Sequence, residues 1–165
     1  MNKIHIKGIV AEVITDKNGV YKSKVIVMRD SGICDCVPIV ASGNVGLDQG
    51  DVVDILGEIV NDGVSICVNA KAINQAEFGF ANEVEIEGCV CSRIRHLLSP
   101  KGTMISDTII KSGDKYIPCV IEGRKMANIG SMVRVCGRFQ SREYNKGDEI
   151  KTEYEIAVKN CEKLL

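Results

Sequence analysis

The chain has 165 residues, with 21 Lys and Arg against 22 Asp and Glu, and its formal net charge is −1. This balance excludes binding of nucleic acid through a strong overall field, so any such binding needs a local basic patch. No apolar run approaches the roughly 20 residues that span a bilayer, and the N-terminal sequence MNKIHIKGIV lacks a secretion-signal pattern. We therefore expect a cytoplasmic protein with no membrane partner, whose 8 cysteines are reduced thiols.

The chain repeats itself at a spacing of 80 residues. Five Gly or Pro positions recur without a gap: Gly8 and Gly88, Pro38 and Pro118, Gly43 and Gly123, Gly50 and Gly130, Gly57 and Gly137. Because Gly and Pro stand where the backbone needs particular torsions, matched positions predict a matched chain path. The sequence therefore predicts two copies of one small domain, over residues 1–76 and 82–165, with a linker at 74–82.

Alternating Val and Ile residues predict five strands in each copy. In the first copy the predicted strands are 3–14, 21–30, 34–41, 51–60 and 64–72, with a tight hairpin at 61–63. In the second copy they are 83–95, 103–111, 115–122, 131–144 and 150–159, with a long polar connection at 141–151.

A short segment separates strands three and four in each copy, at 42–50 and 123–130. The second of these, GRKMANIG, predicts a helical turn that ends at Gly130. Five strands with such an insert predict an all-β chain of two tandem OB-folds, which are five-stranded Greek-key barrels. Barrels of the SH3-like kind are the alternative.

The two copies differ in charge. Residues 1–80 carry 7 Lys and Arg against 10 Asp and Glu, whereas residues 81–165 carry 14 against 12. On the fourth predicted strand of the second copy, one face carries Arg134, Arg138, Arg142 and Tyr144. Single-stranded nucleic acid needs cations for its phosphates and flat rings for its bases. Taken alone, however, the charge pattern favours a solvated basic face.

At the equivalent positions, the first copy has Asp54 and Glu58 in place of Arg134 and Arg138. Carboxylates repel phosphates, so we expect this face of the first copy not to bind DNA. Two interpretations stay open. Either the face is solvated, or Asp54 and Glu58 meet a basic surface on the second copy or on another subunit.

Two polar loops of the second copy are predicted to flank one side of its barrel, at 93–104 and 141–151. OB-folds commonly hold ligands with these two loops, although long loops are polar in most proteins. The candidate nucleic-acid-binding residues on the loops and neighbouring strands are Arg93, Arg95, Lys101, Tyr116, Arg124, Arg134, Arg138, Arg142, Tyr144, Lys146 and Tyr154.

Three stretches of the second copy carry a family pattern: NEVEIEGCVCSRIR at 82–95, KYIPCVIEGRKMANIG at 115–130 and SMVRVCGRFQSREY at 131–144. In order and spacing they resemble the bacterial single-stranded DNA-binding (SSB) and primosomal replication protein family. The resemblance implies an OB-fold, binding of single-stranded DNA without strong sequence preference, no catalysis and frequent homo-oligomerisation. It also implies that Tyr116 stacks on a base. The chain departs from the pattern in its lack of Trp, its two copies and its final NCEKLL, which is not an acidic tail.

No nucleophile elbow, P-loop or paired-carboxylate motif occurs in the sequence. The pairs Cys34–Cys36 and Cys89–Cys91 lack the C-x-x-C spacing of zinc ribbons, so small-residue packing is favoured over metal binding. We therefore expect no enzyme, no cofactor and no small-molecule substrate.

The sequence favours a non-catalytic single-stranded DNA-binding protein, or an accessory factor in DNA replication, repair or recombination. In this hypothesis the second copy binds nucleic acid and the first serves structure or assembly. The alternatives are a protein-interaction module built on a degenerate OB-fold pair, and an RNA-binding OB protein.

Overall fold

The computed structural model describes residues 1–16, 18–43 and 45–164. Within these ranges it contains 11 strands and no helix. The strands of the first copy are β1 (Asn2–Thr15), β2 (Val20–Met28), β3 (Cys34–Ser42), β4 (Val52–Asn61) and β5 (Ile66–Gln75). Those of the second are β6 (Ala81–Val90), β7 (Arg95–Leu98), β8 (Met104–Ser112), β9 (Lys115–Glu122), β10 (Met132–Lys146) and β11 (Glu149–Lys163).

Each set of strands closes into a barrel. In the first barrel, β1 pairs with β2 and β4, and the pairs β2–β3, β3–β5 and β4–β5 complete the ring. In the second, β6 pairs with β8 and β10, and the pairs β8–β9, β9–β11 and β10–β11 complete it. The pairs β3–β5 and β9–β11 are the parallel ones. The predicted fold class, all-β with two tandem OB-folds, is confirmed.

The barrel interiors are filled by the inward-facing residues of alternating strands. In β1 and β6 the buried apolar residues are Ile4, Ile6 and Val10, and their equivalents Val84, Ile86 and Val90. The largest fully buried side chain is Phe139 on β10, whose equivalent in the first barrel is the fully buried Ile59. Both cores therefore use the same positions, as the repeat predicts.

Glycine is required at the repeated positions for two different physical reasons. A Cβ at Gly57 or Gly137 would lie 2.2 or 2.0 Å from a carbonyl oxygen of the neighbouring strand, so no larger residue fits. Gly50 and Gly130 instead have φ angles of 94° and 88°, which L-residues with side chains rarely adopt. Both requirements recur in the second barrel, so the backbone path is duplicated.

An asparagine at the start of each barrel makes the same pair of hydrogen bonds. Asn2 Nδ2 donates to Ile59 O at 2.8 Å, and Asn2 Oδ1 accepts from Ile59 N at 2.9 Å. Asn82 and Phe139 repeat both bonds, each at 2.8 Å. The two asparagines thus satisfy the backbone N–H and C=O groups of Ile59 on β4 and Phe139 on β10. Both sites lie near the bulges that follow Leu56 and Cys136 in the strand pairings.

The two barrels are joined edge to edge through their first strands. β1 and β6 pair antiparallel, with Ile4 opposite Val84. These two residues occupy equivalent positions in the repeat, so an approximate two-fold axis passes between them. The result is a continuous sheet in which β4, β1, β6 and β10 are neighbours.

Two predicted connections of the second copy are wrong. β6 ends at Val90, not at 95, and the segment 93–104, predicted as a loop, contains the extra strand β7. The segment 141–151 is not an open loop, because β10 and β11 continue their regular pairing to Lys146 and Glu149. Gly147, with a φ of 64°, supplies the backbone turn at the end of this ribbon.

The predicted helical turn at 123–130 is also wrong, because the segment forms only turns and bends. Gly123 and Gly130 both have positive φ, which places a reversal of the backbone at each end of the segment. Gly130 N also donates to Val90 O at 2.8 Å, which ties the end of the segment to β6. The equivalent segment 42–50 includes residue 44, so that part of the prediction lies outside the described residues.

Candidate nucleic-acid interface

A groove of about 810 Å³ lies on the outer face of the second barrel. One wall is the β7–β8 hairpin, and the other is the β10–β11 ribbon. The floor contains the apolar residues Ile109 of β8 and Pro118 and Val120 of β9. The predicted binding residues that line this groove are Arg93, Arg95, Arg142, Tyr144 and Tyr154. The structure thus brings residues from both predicted loops to one place.

The first barrel closes one end of this groove. Asn61, Val64 and Ser65, at the tip of the β4–β5 hairpin, belong to its lining. Asn61 Nδ2 donates to Tyr116 O at 2.7 Å, so the tip is attached to the start of β9. A larger groove of about 1540 Å³ adjoins it, shares Arg142 with it, and extends to Arg29 of the first barrel.

Tyr116 presents an exposed ring beside the groove. It is 49% exposed, and it lies on the same face of β9 as Pro118, two residues further along. Lys111 Nζ lies 5.4 Å from the centroid of the Tyr116 ring. This pair places a cation next to a flat aromatic surface, the combination that base stacking and phosphate contact require.

Tyr154 has a different environment, because its ring packs on the core. Its centroid lies 5.9 Å from that of Phe139, and burial raises the pKa of its hydroxyl. Tyr154 therefore supports the groove from below and presents only part of its surface to it.

Arg95 is held by a carboxylate on the neighbouring strand. It lies directly opposite Asp107 in the β7–β8 register. Arg95 Nε donates to Asp107 Oδ1 at 2.9 Å, and Nη2 donates to Oδ2 at 2.7 Å. This two-pronged bond raises the pKa of Arg95 and neutralises its charge locally.

Arg142 is held in the same way on the opposite wall. Its Nη2 donates to Glu153 Oε2 at 2.6 Å, and its Nε donates to Glu155 Oε1 at 3.1 Å. Burial acts to lower the pKa of Arg142, but the bond to Glu155 and the charge of Glu153 outweigh it and raise the pKa. The Arg142 guanidinium also lies 5.9 Å from the centroid of the Tyr144 ring.

Arg134 lies away from the groove. Its guanidinium bonds to Glu87 on β6, with Glu85 and Glu162 each 3.7 Å away. The bond to Glu87 raises the pKa of Arg134. Arg134 therefore lies outside the groove, whereas Arg142 of the same strand lines it.

Arg138 lies at the junction of the barrels. Its Nη2 donates to Gln140 Oε1 at 2.7 Å, and its Nε, which makes no hydrogen bond, lies 3.9 Å from Asp35 Oδ2. Burial and the nearby Arg29 guanidinium lower the pKa of Arg138.

Asp35 of the first barrel is the centre of this junction. It is fully buried and accepts two hydrogen bonds from Arg29, at 2.8 and 2.6 Å, which raise the pKa of Arg29. Ser141 N donates to Asp35 Oδ1 at 3.2 Å, and Ser141 Oγ accepts from Cys36 N at 2.8 Å. One carboxylate thus links β3 of the first barrel to β10 of the second.

Four predicted cations have no carboxylate partner among the described residues: Arg93, Lys101, Arg124 and Lys146. Lys101 lies in the turn of the β7–β8 hairpin, and Lys146 lies at the end of the β10–β11 ribbon. Arg124 lies just after β9, where its Nε approaches Met104 Sδ at 3.4 Å. Lys101, Arg124 and Lys146 are therefore peripheral, whereas Arg93 lines the groove itself.

Asp54 and Glu58 both find basic partners within their own barrel. Asp54 bonds to His5 Nε2, and Glu58 Oε2 lies 3.6 Å from Lys71 Nζ. No contact of either carboxylate with a basic residue of the second barrel occurs among the described residues. The acidic residue of the first barrel that meets a second-barrel arginine is Asp35 instead.

The described residues contain no group of three or more His, Cys, Asp or Glu side chains that could hold a metal ion. A helix long and apolar enough to cross a membrane is likewise absent from the described parts of the chain.

The sequence interpretation missed the carboxylates that engage the arginines: Asp35, Glu87, Asp107, Glu153 and Glu155. The available signal was cross-strand register. Once β10 and β11 are paired as a hairpin, Arg142 lies opposite Glu153. No comparable local signal identifies Asp35, because its contact with Ser141 joins residues 106 positions apart.

No protein-family model matches the chain, and no curated protein matches it in sequence. Among solved structures, it is similar to the wild-type single-stranded DNA-binding protein from Thermus aquaticus, with a TM-score of 0.78 and 14% identity. That alignment covers 100% of this chain and 93% of the Thermus chain. A deletion mutant of the same Thermus protein gives a TM-score of 0.76 at 13% identity and covers 100% and 95% of the two chains. At such identities the similarity shows the fold, including its tandem arrangement.

Proposed function

We propose that the protein binds single-stranded nucleic acid, with DNA as the preferred form, in the groove of the second barrel and without catalysis. The observation that carries the proposal is the convergence of Arg93, Arg95, Arg142 and Tyr144 on one groove with an apolar floor. The fold shared with the Thermus single-stranded DNA-binding protein supports the same conclusion. In this proposal the protein acts as an accessory factor in DNA replication, repair or recombination.

The chemistry of the groove fits a flexible strand better than a duplex. Single-strand binding relies on cations that follow the phosphates and rings on which bases stack. Tyr116 and Tyr144 supply rings, and each has a cation beside it, Lys111 and Arg142. Ring stacking tolerates any base, so we expect little sequence preference.

The first barrel lacks the two walls that form this groove. Its β4–β5 connection is short, since β4 ends at Asn61 and β5 begins at Ile66. Its β1–β2 connection joins Thr15 to Val20, and no counterpart of β7 occurs in the part of this connection that the structure describes. We propose that the first barrel orients the second through the junction at Asp35 and the hairpin tip at Asn61.

Fluorescence anisotropy of labelled oligo(dT) at low salt tests the proposal. We expect Tyr144→Ala to weaken binding by about 1–3 kcal/mol, the value of one stacked base. Arg93→Ala should weaken it by several-fold and reduce the salt dependence. Arg134→Ala is the matched control, because it removes the same charge outside the groove.

Two outcomes would contradict the proposal. One is the absence of binding at micromolar protein and low salt, which favours a protein-interaction module. The other is equal weakening by Arg93→Ala and Arg134→Ala, which places binding outside the groove. Competition with oligo(rU) distinguishes DNA from RNA, and a tighter complex with oligo(rU) would favour the RNA-binding alternative.

A further inference from the structure

The two arginines on opposite walls of the groove already have anionic partners within the protein. Arg95 bonds to Asp107 through two parallel hydrogen bonds, and Arg142 bonds to Glu153 and Glu155. A phosphate group would use the same guanidinium donors with the same fork-like geometry. The carboxylates therefore occupy the positions that backbone phosphates would take.

The fold itself sets these pairs. Arg95 lies opposite Asp107 across β7 and β8, and Arg142 lies opposite Glu153 across β10 and β11. A cross-strand pair of opposite charge forms as soon as the strands are in register, with no ligand required. In the nucleic-acid-free protein these two groove arginines are therefore neutralised.

The pairs are also weak enough to exchange. The Arg95 side chain is 68% exposed, and the Arg142 and Glu153 side chains are each 50% exposed. Exposed ion pairs contribute little, because water screens the charges, and this applies most directly to Arg142 and Glu153. In the other pair Arg95 is exposed, whereas Asp107 is only 20% exposed. A phosphate can replace the carboxylate, but the displaced carboxylate stays in the groove and repels the strand.

We propose that Asp107 and Glu153 are internal competitors for the phosphate backbone, which hold Arg95 and Arg142 in the free protein and release them as the strand binds. This inference rests on the proposed function. It adds a means by which the affinity of the same groove for the strand is kept low and the bound strand exchanges readily. Arg93, which has no carboxylate partner within the described residues, makes the first contact, and the paired arginines follow.

The chain contains its own matched control. Glu87 on β6 accepts two hydrogen bonds from Arg134, which lies on β10 as Arg142 does. Neither Glu87 nor Arg134 lines the groove. Glu87→Gln therefore removes one negative charge and one of the carboxylate partners of an arginine, as Glu153→Gln does for Arg142, which keeps its bond to Glu155. It does so at a site that the strand does not reach. Any effect of overall charge alone appears equally in both variants.

The experiment measures the affinity of labelled oligo(dT) as a function of salt for the wild type, Asp107→Asn, Glu153→Gln and Glu87→Gln. We expect Asp107→Asn and Glu153→Gln each to tighten binding by about threefold or more at low salt. Each should also steepen the slope of log K against log salt by about 0.7, one additional phosphate contact on a single strand. Glu87→Gln should change neither quantity beyond the general charge effect.

The proposal is overturned if the wild type binds but the groove variants bind no tighter, or if Glu87→Gln tightens binding as much as they do. If neither the wild type nor any variant binds, the proposed function itself fails and this inference falls with it. Glu153→Gln lies on the exposed ribbon, so it keeps the test valid if Asp107→Asn disturbs the fold of the hairpin. Urea unfolding of each variant identifies that case.

Discussion

Arg134 on β10 and Glu87 on β6 form an ion pair in which Arg134 Nε and Nη2 both donate to Glu87 Oε1, at 2.9 and 2.5 Å. The equivalent residues of the first barrel, Asp54 and Lys7, also lie opposite each other, with the charges exchanged. The reversal of charge between the copies therefore affects both members of a cross-strand pair. This gives the contrast between Arg134 and Asp54 a structural explanation that does not involve a ligand.

The first prediction concerns this exchanged pair. Arg134→Glu places a carboxylate among Glu85, Glu87 and Glu162, so it should lower the melting temperature. The double change Arg134→Glu with Glu87→Arg restores opposite charges across the strands and should recover part of the loss. Thermal unfolding of the single and double variants measures the coupling. Equal melting temperatures for Arg134→Glu and the double variant would show that the pair has no role.

The strands and their buried faces could be predicted from the sequence because both depend on local alternation. Gly57 and Gly137 mark the same close approach of two neighbouring strands in the two barrels. Their spacing in the sequence does not show that a carbonyl oxygen leaves no room for a Cβ there. The ion pairs of the groove follow only once the register between strands is known, and the alternation within one strand does not supply that register. Arg95 and Asp107 are 12 residues apart, and a one-residue slip would place them on opposite faces.

The second prediction concerns the close approach at Gly137. Gly137→Ala places a Cβ about 2.0 Å from Ala157 O, so β10 and β11 must move apart. Overpacked sites typically lose about 1–3 kcal/mol in the free energy of unfolding, and we expect a loss at the upper end of that range because the contact is with backbone. Gly79→Ala is the control, since its nearest neighbour is the flexible end of Lys7 at 3.3 Å. Urea denaturation of both variants should show a large loss only for Gly137→Ala.

The third prediction concerns the repeated asparagines. Asn82→Ala removes the donor and the acceptor that satisfy the backbone of Phe139, and Asn2→Ala does the same for Ile59. Each change should cost about 1–3 kcal/mol, because it leaves buried backbone groups without partners. Equilibrium unfolding in urea measures both losses. A negligible effect of either substitution would show that water replaces the side chain at that position.

The fourth prediction concerns the junction of the barrels. Asp35→Ala leaves Arg29 and Arg138 close together without the buried carboxylate between them. We expect a loss of about 3–5 kcal/mol, the usual cost of removing one partner from a buried charge network. Replacing Arg138 by Met in the Asp35→Ala background removes one uncompensated charge and should restore part of the stability. Chemical denaturation measures the losses for Asp35→Ala, Arg138→Met and the double variant. If the two single losses simply add in the double variant, Asp35 and Arg138 do not interact through their charges.

The last prediction concerns stability at alkaline pH. Cys119 is fully buried, and burial raises the pKa of its thiol well above the ordinary value of about 9.0. The native state therefore keeps this proton at a pH where the unfolded chain releases it. The stabilisation is complete below the ordinary thiol pKa and is lost as the pH rises above it, with a slope of about 1.4 kcal/mol per pH unit.

Cys67 and Tyr154, whose pKa values burial also raises, add to the same alkaline loss. Cys119→Ala costs some packing at every pH, but its free energy of unfolding should fall less steeply above pH 9.5, by about 1.4 kcal/mol per unit. Cys34→Ala, which removes an exposed thiol, is the matched control. Urea unfolding at several pH values separates the constant packing loss from the change in slope. The prediction is wrong if the free energies of unfolding of Cys119→Ala and the wild type fall in parallel as the pH rises. The thiol would then titrate alike in the folded and unfolded states, because water reaches the interior of the second barrel.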